Sequence, residues 1–151
     1  MTRSKTIKEL RKYFSINELV CDHTLKRFGD AGWVYLDTLA LRVLLVLRRD
    51  ILQVPLVINS ANRHQRGLRC NCCQLVADKT KQGQNYLSAH ILGKAFDINA
   101  VGNVMTAEEM RQRIIEKQDL LPCPVRMEKG VLWLHIDVMD PTDGEQKIVL
   151  F

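Results

Sequence analysis

Two histidines and an aspartate are the residues of this sequence whose types and spacing could do chemistry. His90 and Asp97 are separated by Gly93, at which the chain can turn so that both side chains face one cavity. His135 lies in an apolar segment near the carboxyl end. Imidazole and carboxylate groups bind zinc, and catalytic zinc sites use three protein ligands and leave a fourth position for water. A histidine on a strand is more often a core or surface residue, so the spacing alone leaves both interpretations open.

The segments around these residues resemble a known family of zinc peptidases. The pattern Ser88-x-His90-x-x-Gly93-x-Ala95-x-Asp97, followed by His135-x-Asp137, is similar to the zinc D-Ala-D-Ala carboxypeptidases and murein endopeptidases, which include phage endolysins and vancomycin-resistance dipeptidases. Upstream, Phe14–Leu19 (FSINEL) and Ile58–Arg63 (INSANR) resemble that family's amino-terminal entry and one of its strand ends. The similarity covers about residues 13–138, which is most of the chain.

The resemblance implies a role for each matching residue. His90, Asp97 and His135 would bind one zinc ion. Arg63 would contact the substrate and polarise its carbonyl group, and Ser88 would line the same site. A guanidinium beside the metal could bind a carboxylate or stabilise the oxyanion that forms during peptide hydrolysis. The implied activity is cleavage of a peptide bond in peptidoglycan, either as a carboxypeptidase or as an endopeptidase of the endolysin type.

The general base is not assigned by the resemblance. Some branches of the family place a glutamate three residues before the last zinc histidine, and this sequence has Leu132 there. Glu128 could reach the cavity across a turn at Lys129-Gly130, and Asp137 lies on the same strand face as His135. We favour Glu128, because a carboxylate two residues after a zinc ligand could instead orient that ligand's imidazole.

Two further departures, Asn62 in place of the usual tyrosine and a longer Cys/Lys/Arg loop, indicate that substrate preference could differ from the family's. A different class of function is a zinc-bearing but catalytically silent binding or structural module, since the scaffold also resembles the Hedgehog signalling domain. Nucleic acid is not an expected partner, because the basic residues are spread along the chain without a recognisable binding motif.

Helix signals occur at three places. Ser15–Glu18 and Thr106–Glu109 have capping-box spacing, and the second box predicts a helix to about residue 117. A dense apolar pattern from Trp33 to Leu52 predicts the principal core helix. Residues 64–87 are polar and poorly periodic, which predicts a loop with one helical turn.

Strand-like segments occupy residues 56–60, 94–99, 125–128, 131–138 and 147–150. This order of elements indicates one α+β domain over residues 1–151, with a mainly antiparallel sheet backed by helices. The resemblance implies more narrowly a fold like that of the Hedgehog domain and the D-Ala-D-Ala peptidases.

Bulk properties limit the classes of protein. A chain of 151 residues with 46% hydrophobic content can fill one core, and no apolar run is long enough to predict a transmembrane segment. The amino terminus has no signal-peptide pattern, so we expect the protein in the cytoplasm of the producing cell or on a virion, acting on the cell wall. The net charge of +5 favours anionic partners such as envelope polymers. A monomer is expected.

The five cysteines form an odd set, which predicts reduced thiols in a chain without a signal peptide. Cys70, Cys72 and Cys73 are clustered, but structural zinc sites normally combine such a cluster with a second, distant pair. We therefore interpret the cluster as small hydrophobic side chains buried on a helix or loop.

Overall fold

The structure, a computed structural model, describes residues 1–60, 62–139 and 146–151, so Ala61 of the INSANR segment lies outside the described residues. Its α-helices are α1 (Arg3–Leu10), α2 (Asp22–Phe28), α3 (Thr38–Val46), α4 (Gln74–Lys81) and α5 (Ala107–Glu116). Its strands are β1 (Leu56–Val57), β2 (Ala95–Ala100), β3 (Val125–Met127), β4 (Leu134–Asp137) and β5 (Ile148–Leu150). None of the described helices is long and apolar enough to cross a membrane.

The principal core helix begins later than the apolar pattern predicts. Asp37 caps α3, because its carboxylate accepts hydrogen bonds from the backbone N–H groups of Leu39 (2.7 Å) and Ala40 (3.1 Å). Trp33 lies before this cap, in a short 3₁₀ helix over Gly29–Tyr35. After Val46 the chain continues as a π-helical turn over Leu47–Ile51, which carries the apolar pattern to its predicted end.

Both capping boxes mark helix starts. Glu109 accepts a hydrogen bond from the backbone N–H of Thr106 at 2.7 Å, and α5 begins at the next residue and ends at Glu116, close to the predicted end. At the first box, Glu18 accepts from the backbone N–H of Ser15 at 2.8 Å and a 3₁₀ turn follows.

The prediction that residues 64–87 form a loop with one helical turn is wrong in one respect, because α4 lies within them. This helix is eight residues long, and Val76 is its buried residue. Apart from Ala77, the other positions are polar or exposed, so the apolar periodicity that identifies a helix in a sequence is missing here.

The sheet has the strand order β1-β2-β4-β3-β5. Its pairs are antiparallel except for β3 and β5, which run parallel. The α+β class with a mainly antiparallel sheet is therefore confirmed, although the sheet is mixed at one edge.

Strand β4 is shorter than predicted, because a buried arginine binds the backbone that precedes it. The guanidinium of Arg111 on α5 donates to the carbonyl oxygens of Glu128 (3.2 Å), Val131 (3.0 Å) and Trp133 (3.1 Å). These carbonyl groups are satisfied by a side chain rather than by a neighbouring strand, so regular pairing starts at Leu134.

The alternation of side chains along β2 and β4 separates the core from the site. Apolar residues of the two strands face each other in register and pack in the core against α3 and α5, as Phe96 does with Ile136 and Ile98 with Leu134. The intervening residues Asp97 and His135, which are also paired in register, point to the opposite face.

Candidate metal centre

The three predicted ligands converge on that opposite face of β2 and β4. His135 Nδ1 lies 2.8 Å from Asp97 Oδ1, and His90 Nε2 lies 3.3 Å from the same oxygen. The three ligand atoms are all within 4.8 Å of one another. Asp97 and His90 are buried, with 6% and 3% of their surface exposed. The structure therefore contains a group of side chains that could hold a metal ion at the predicted residues.

Hydrogen bonds fix which nitrogen each imidazole presents. His90 Nδ1 lies 2.9 Å from the carbonyl oxygen of Gly67, and because a carbonyl can only accept, Nδ1 carries the hydrogen and Nε2 is free to bind a metal. His135 Nε2 donates to Asp137 Oδ2 at 3.1 Å, which leaves Nδ1 for the metal. Metal-binding histidines usually have their second nitrogen held in this way, so the residues fit a bound ion.

Burial and hydrogen bonding act in opposite directions on the charges of the site. Burial would raise the pKa of Asp97, but hydrogen bonds from His135 and His90 hold this pKa below its ordinary value. Burial would lower the pKa of His135, but hydrogen bonds to Asp137 and Asp97 raise it to about 9. Without a metal the site therefore holds an aspartate anion against a histidine cation at neutral pH.

This protonation predicts how metal binding depends on pH. Since His135 is protonated below pH 9 in the metal-free protein, a metal ion must displace a proton from Nδ1, and the apparent affinity should rise by up to about tenfold per pH unit between about pH 6 and about pH 8. Calorimetry in buffers of different ionisation enthalpy should detect this proton. The release should persist in His64→Ala, whereas His135→Ala should show no metal binding at this site. An affinity that does not change over this pH range would contradict the expected protonation of His135.

Asp137 is enclosed by partners. Arg126, directly opposite on β3, binds both of its carboxylate oxygens at 2.9 Å. Oδ1 also accepts from the backbone N–H of Met139 at 2.9 Å, and Oδ2 accepts from His135. Hydrogen bonds from His135 and Arg126 outweigh burial and lower the pKa of Asp137, so this group is a carboxylate that orients the His135 ring.

A cavity of about 320 Å³ opens beside the three ligands. Its other lining residues include Arg69, Tyr86, Ser88, Glu128, Trp133 and Phe151. Glu128 and Ser88 therefore lie beside the candidate metal centre. The Ser88 hydroxyl oxygen is buried and has no hydrogen-bond partner within residues 1–60, 62–139 and 146–151.

Arg63 is not in the cavity of the candidate metal centre. It is exposed and lines an adjoining cavity of about 530 Å³, together with Arg66 and Leu132. Trp133 lines both cavities, and the Arg66 guanidinium lies 5.3 Å from its ring centroid. The two cavities are thus neighbours, and Leu132 faces the one without the metal ligands.

Arg69 contacts one of the predicted ligands but is not among the residues that the sequence predicts for the site. Arg69 Nη2 lies 3.4 Å from Asp97 Oδ2, and Nη1 donates to the Tyr86 hydroxyl at 3.2 Å. In the sequence Arg69 is one of several basic residues in an irregular segment, and nothing in the spacing distinguishes it. Arg126, which pairs with Asp137 across β3 and β4, was also missed.

Comparison of the chain with protein-family models, with curated proteins and with solved structures found no match. What the site can do chemically therefore follows from its own groups. Two imidazole nitrogens and one carboxylate oxygen form a ligand set that suits a divalent transition-metal ion. The adjacent cavity gives a small molecule or a peptide access to such an ion.

Proposed function

We propose that this protein is a zinc-dependent peptidase that hydrolyses peptide bonds of bacterial peptidoglycan. The observation that carries the proposal is the convergence of His90, Asp97 and His135 beside a cavity, with the second nitrogen of each imidazole held by an acceptor. Three-ligand sets of nitrogen and oxygen are typical of catalytic zinc. The resemblance of residues 88–97 and 135–137 to the murein peptidases supplies the substrate class.

A zinc ion on these ligands would activate water and polarise a peptide carbonyl group. The protein's own residues must then move a proton. Glu128 is half-buried and lines the same cavity, so we assign it as the general base. Asp137 is less suited to this role, because Arg126, His135 and the Met139 backbone already occupy its oxygens.

Substrate binding is assigned to the basic and polar residues of the two neighbouring cavities. Ser88 and Arg69 lie beside the metal ligands, and Arg63 and Arg66 line the adjoining cavity across Trp133. A peptide that spans both cavities would place a carboxylate within reach of a guanidinium, which binds carboxylates through paired hydrogen bonds. The net charge of +5 favours association with an anionic envelope.

Digestion of purified peptidoglycan, followed by mass spectrometry of the released fragments, tests this proposal. We expect wild-type protein to release peptides, a chelator to stop the release, and added zinc to restore it. The fragment masses would identify the bond. Arg63→Ala and Arg69→Ala should weaken cleavage while the protein keeps its metal. If folded, zinc-loaded protein cuts none of several wall types, the catalytically silent binding module becomes the better account.

A further inference from the structure

A second cluster of metal-binding side chains shares no residue with the candidate metal centre. Cys21, His23, Cys70 and Cys73 each offer one ligand atom, and these four atoms all lie within 4.8 Å of one another. Cys73 Sγ is 4.0 Å from Cys70 Sγ and 4.0 Å from His23 Nδ1. Tetrahedral zinc with bonds of about 2.3 Å to sulfur separates two sulfurs by roughly 3.8 Å. The cluster therefore already has nearly the spacing that a bound ion requires.

Backbone pairing brings the two halves of the cluster together. Leu68 N–H donates to the Leu19 carbonyl at 2.9 Å, and Cys21 N–H donates to the Leu68 carbonyl at 3.0 Å. This close approach requires Gly67, because a Cβ atom there would lie 2.1 Å from the Leu19 oxygen. Cys21 and Cys70 are thus held side by side although 48 residues separate them in the sequence.

Cys21 and His23 are the second, distant pair of ligands that a structural zinc site needs beside Cys70 and Cys73. The spacing of the cysteines alone did not identify this pair. Cys21-x-His23 precedes and opens α2, and Cys70-x-x-Cys73 leads into α4. All five thiols of the chain are free, and Cys21 and Cys73 are buried among apolar side chains such as Val76. His23 is exposed, which gives an ion a route from solvent. Interpreting these cysteines only as small hydrophobic residues does not explain why a histidine nitrogen joins them.

We propose that Cys21, His23, Cys70 and Cys73 bind a second zinc ion, and that this ion is structural. Three thiolates and one imidazole complete a tetrahedral shell and leave no position for water, which is the form of structural zinc sites. The ion would fasten the start of α2 to the segment that leads into α4. Arg69, which directly precedes Cys70, contacts Asp97. The structural ion would therefore also restrict the movement of the segment that lies beside the candidate metal centre.

Metal analysis of protein purified under reducing conditions tests this inference without any assay of activity. We expect about two equivalents of zinc in the wild type and about one in Cys70→Ser/Cys73→Ser. The matched control is Cys72→Ser/Cys123→Ser, which removes the two thiols outside the cluster and should keep both ions. After substitution with cobalt, the near-ultraviolet absorption of thiolate-to-cobalt charge transfer should persist in His135→Ala and disappear in Cys70→Ser/Cys73→Ser.

Should the double variant fail to fold, titration of wild-type protein with a thiol-specific mercurial gives the same information. It should release about one equivalent of zinc and leave the ion on His90, Asp97 and His135. Full zinc occupancy in the double variant, absence of a thiolate–cobalt band in the wild type, or no zinc release by the mercurial would overturn the inference. These results do not depend on whether the protein cleaves peptides, so this inference and the proposed function can fail separately.

Discussion

His135→Ala is expected to lose the ion of the candidate metal centre and to lower peptide hydrolysis by about a thousandfold or more, because the activation of water by zinc is lost. The variant should still fold. Asp97 would keep its contacts with His90 and Arg69, and Asp137 would keep both hydrogen bonds to Arg126, so neither buried carboxylate is left without a partner. The measurements are zinc content, circular dichroism and the rate of peptide release.

The matched control for this variant is His64→Ala. His64 is a partly exposed histidine whose Nδ1 lies 3.3 Å from Asp22, and it belongs to neither cluster of metal-binding side chains. This control should keep the zinc content and the activity of the wild type. A His135→Ala protein with undiminished zinc and activity would remove the basis of the site assignment.

Glu128→Gln is expected to keep its zinc and to lower turnover by about a hundredfold to ten-thousandfold, which is the usual contribution of a general acid–base group. The amide keeps the size of the carboxylate but cannot accept the proton. Substrate binding should change much less than turnover, so the loss should appear in kcat rather than in KM. Glu116→Gln, an exposed position on α5, serves as the matched control.

Asp137→Asn should weaken metal binding and affect the turnover of the zinc-loaded protein much less. Without its charge the side chain loses the ion pair with Arg126, keeps only one accepting oxygen and orients His135 less well, so we expect metal affinity to fall by about tenfold to a hundredfold. With zinc at saturating concentration, most of the activity should return. A Glu128→Gln enzyme with near-normal turnover, beside a zinc-loaded but inactive Asp137→Asn enzyme, would reverse the two assignments.

The features that the sequence predicts correctly depend on local spacing. The alternation along β4 places His135 and Asp137 on one face, and the capping box at Thr106 starts α5 where expected. His90 and Asp97 meet because the short segment between them turns at Gly93, whose φ of 66° lies in the left-handed region. A Cβ atom at Gly93 would also lie 2.2 Å from the Tyr35 carbonyl oxygen, so the close approach to the segment before α3 requires glycine as well.

The features that the sequence does not predict depend on contacts between distant segments. Arg111 on α5 binds the carbonyl groups of Val131 and Trp133, so residues 131–133 do not continue strand β4 toward the amino terminus. Arg69, rather than Arg63, lies beside Asp97 because of the path of a long irregular segment. The four residues of the second cluster lie together where the backbone of Leu19 and Cys21 pairs with that of Leu68. None of these contacts leaves a periodic signal that could be recognised along the chain.

The register that sets Asp97 opposite His135 also links metal binding to the free energy of unfolding. An ion that needs ligands from both β2 and β4 binds the paired sheet and not a chain in which β4 has detached. By mass action, free metal at about a thousand times its dissociation constant would add about 4 kcal/mol to the stability of the paired state. Exchange of the backbone amide hydrogens of these strands with solvent would then slow as the metal concentration rises.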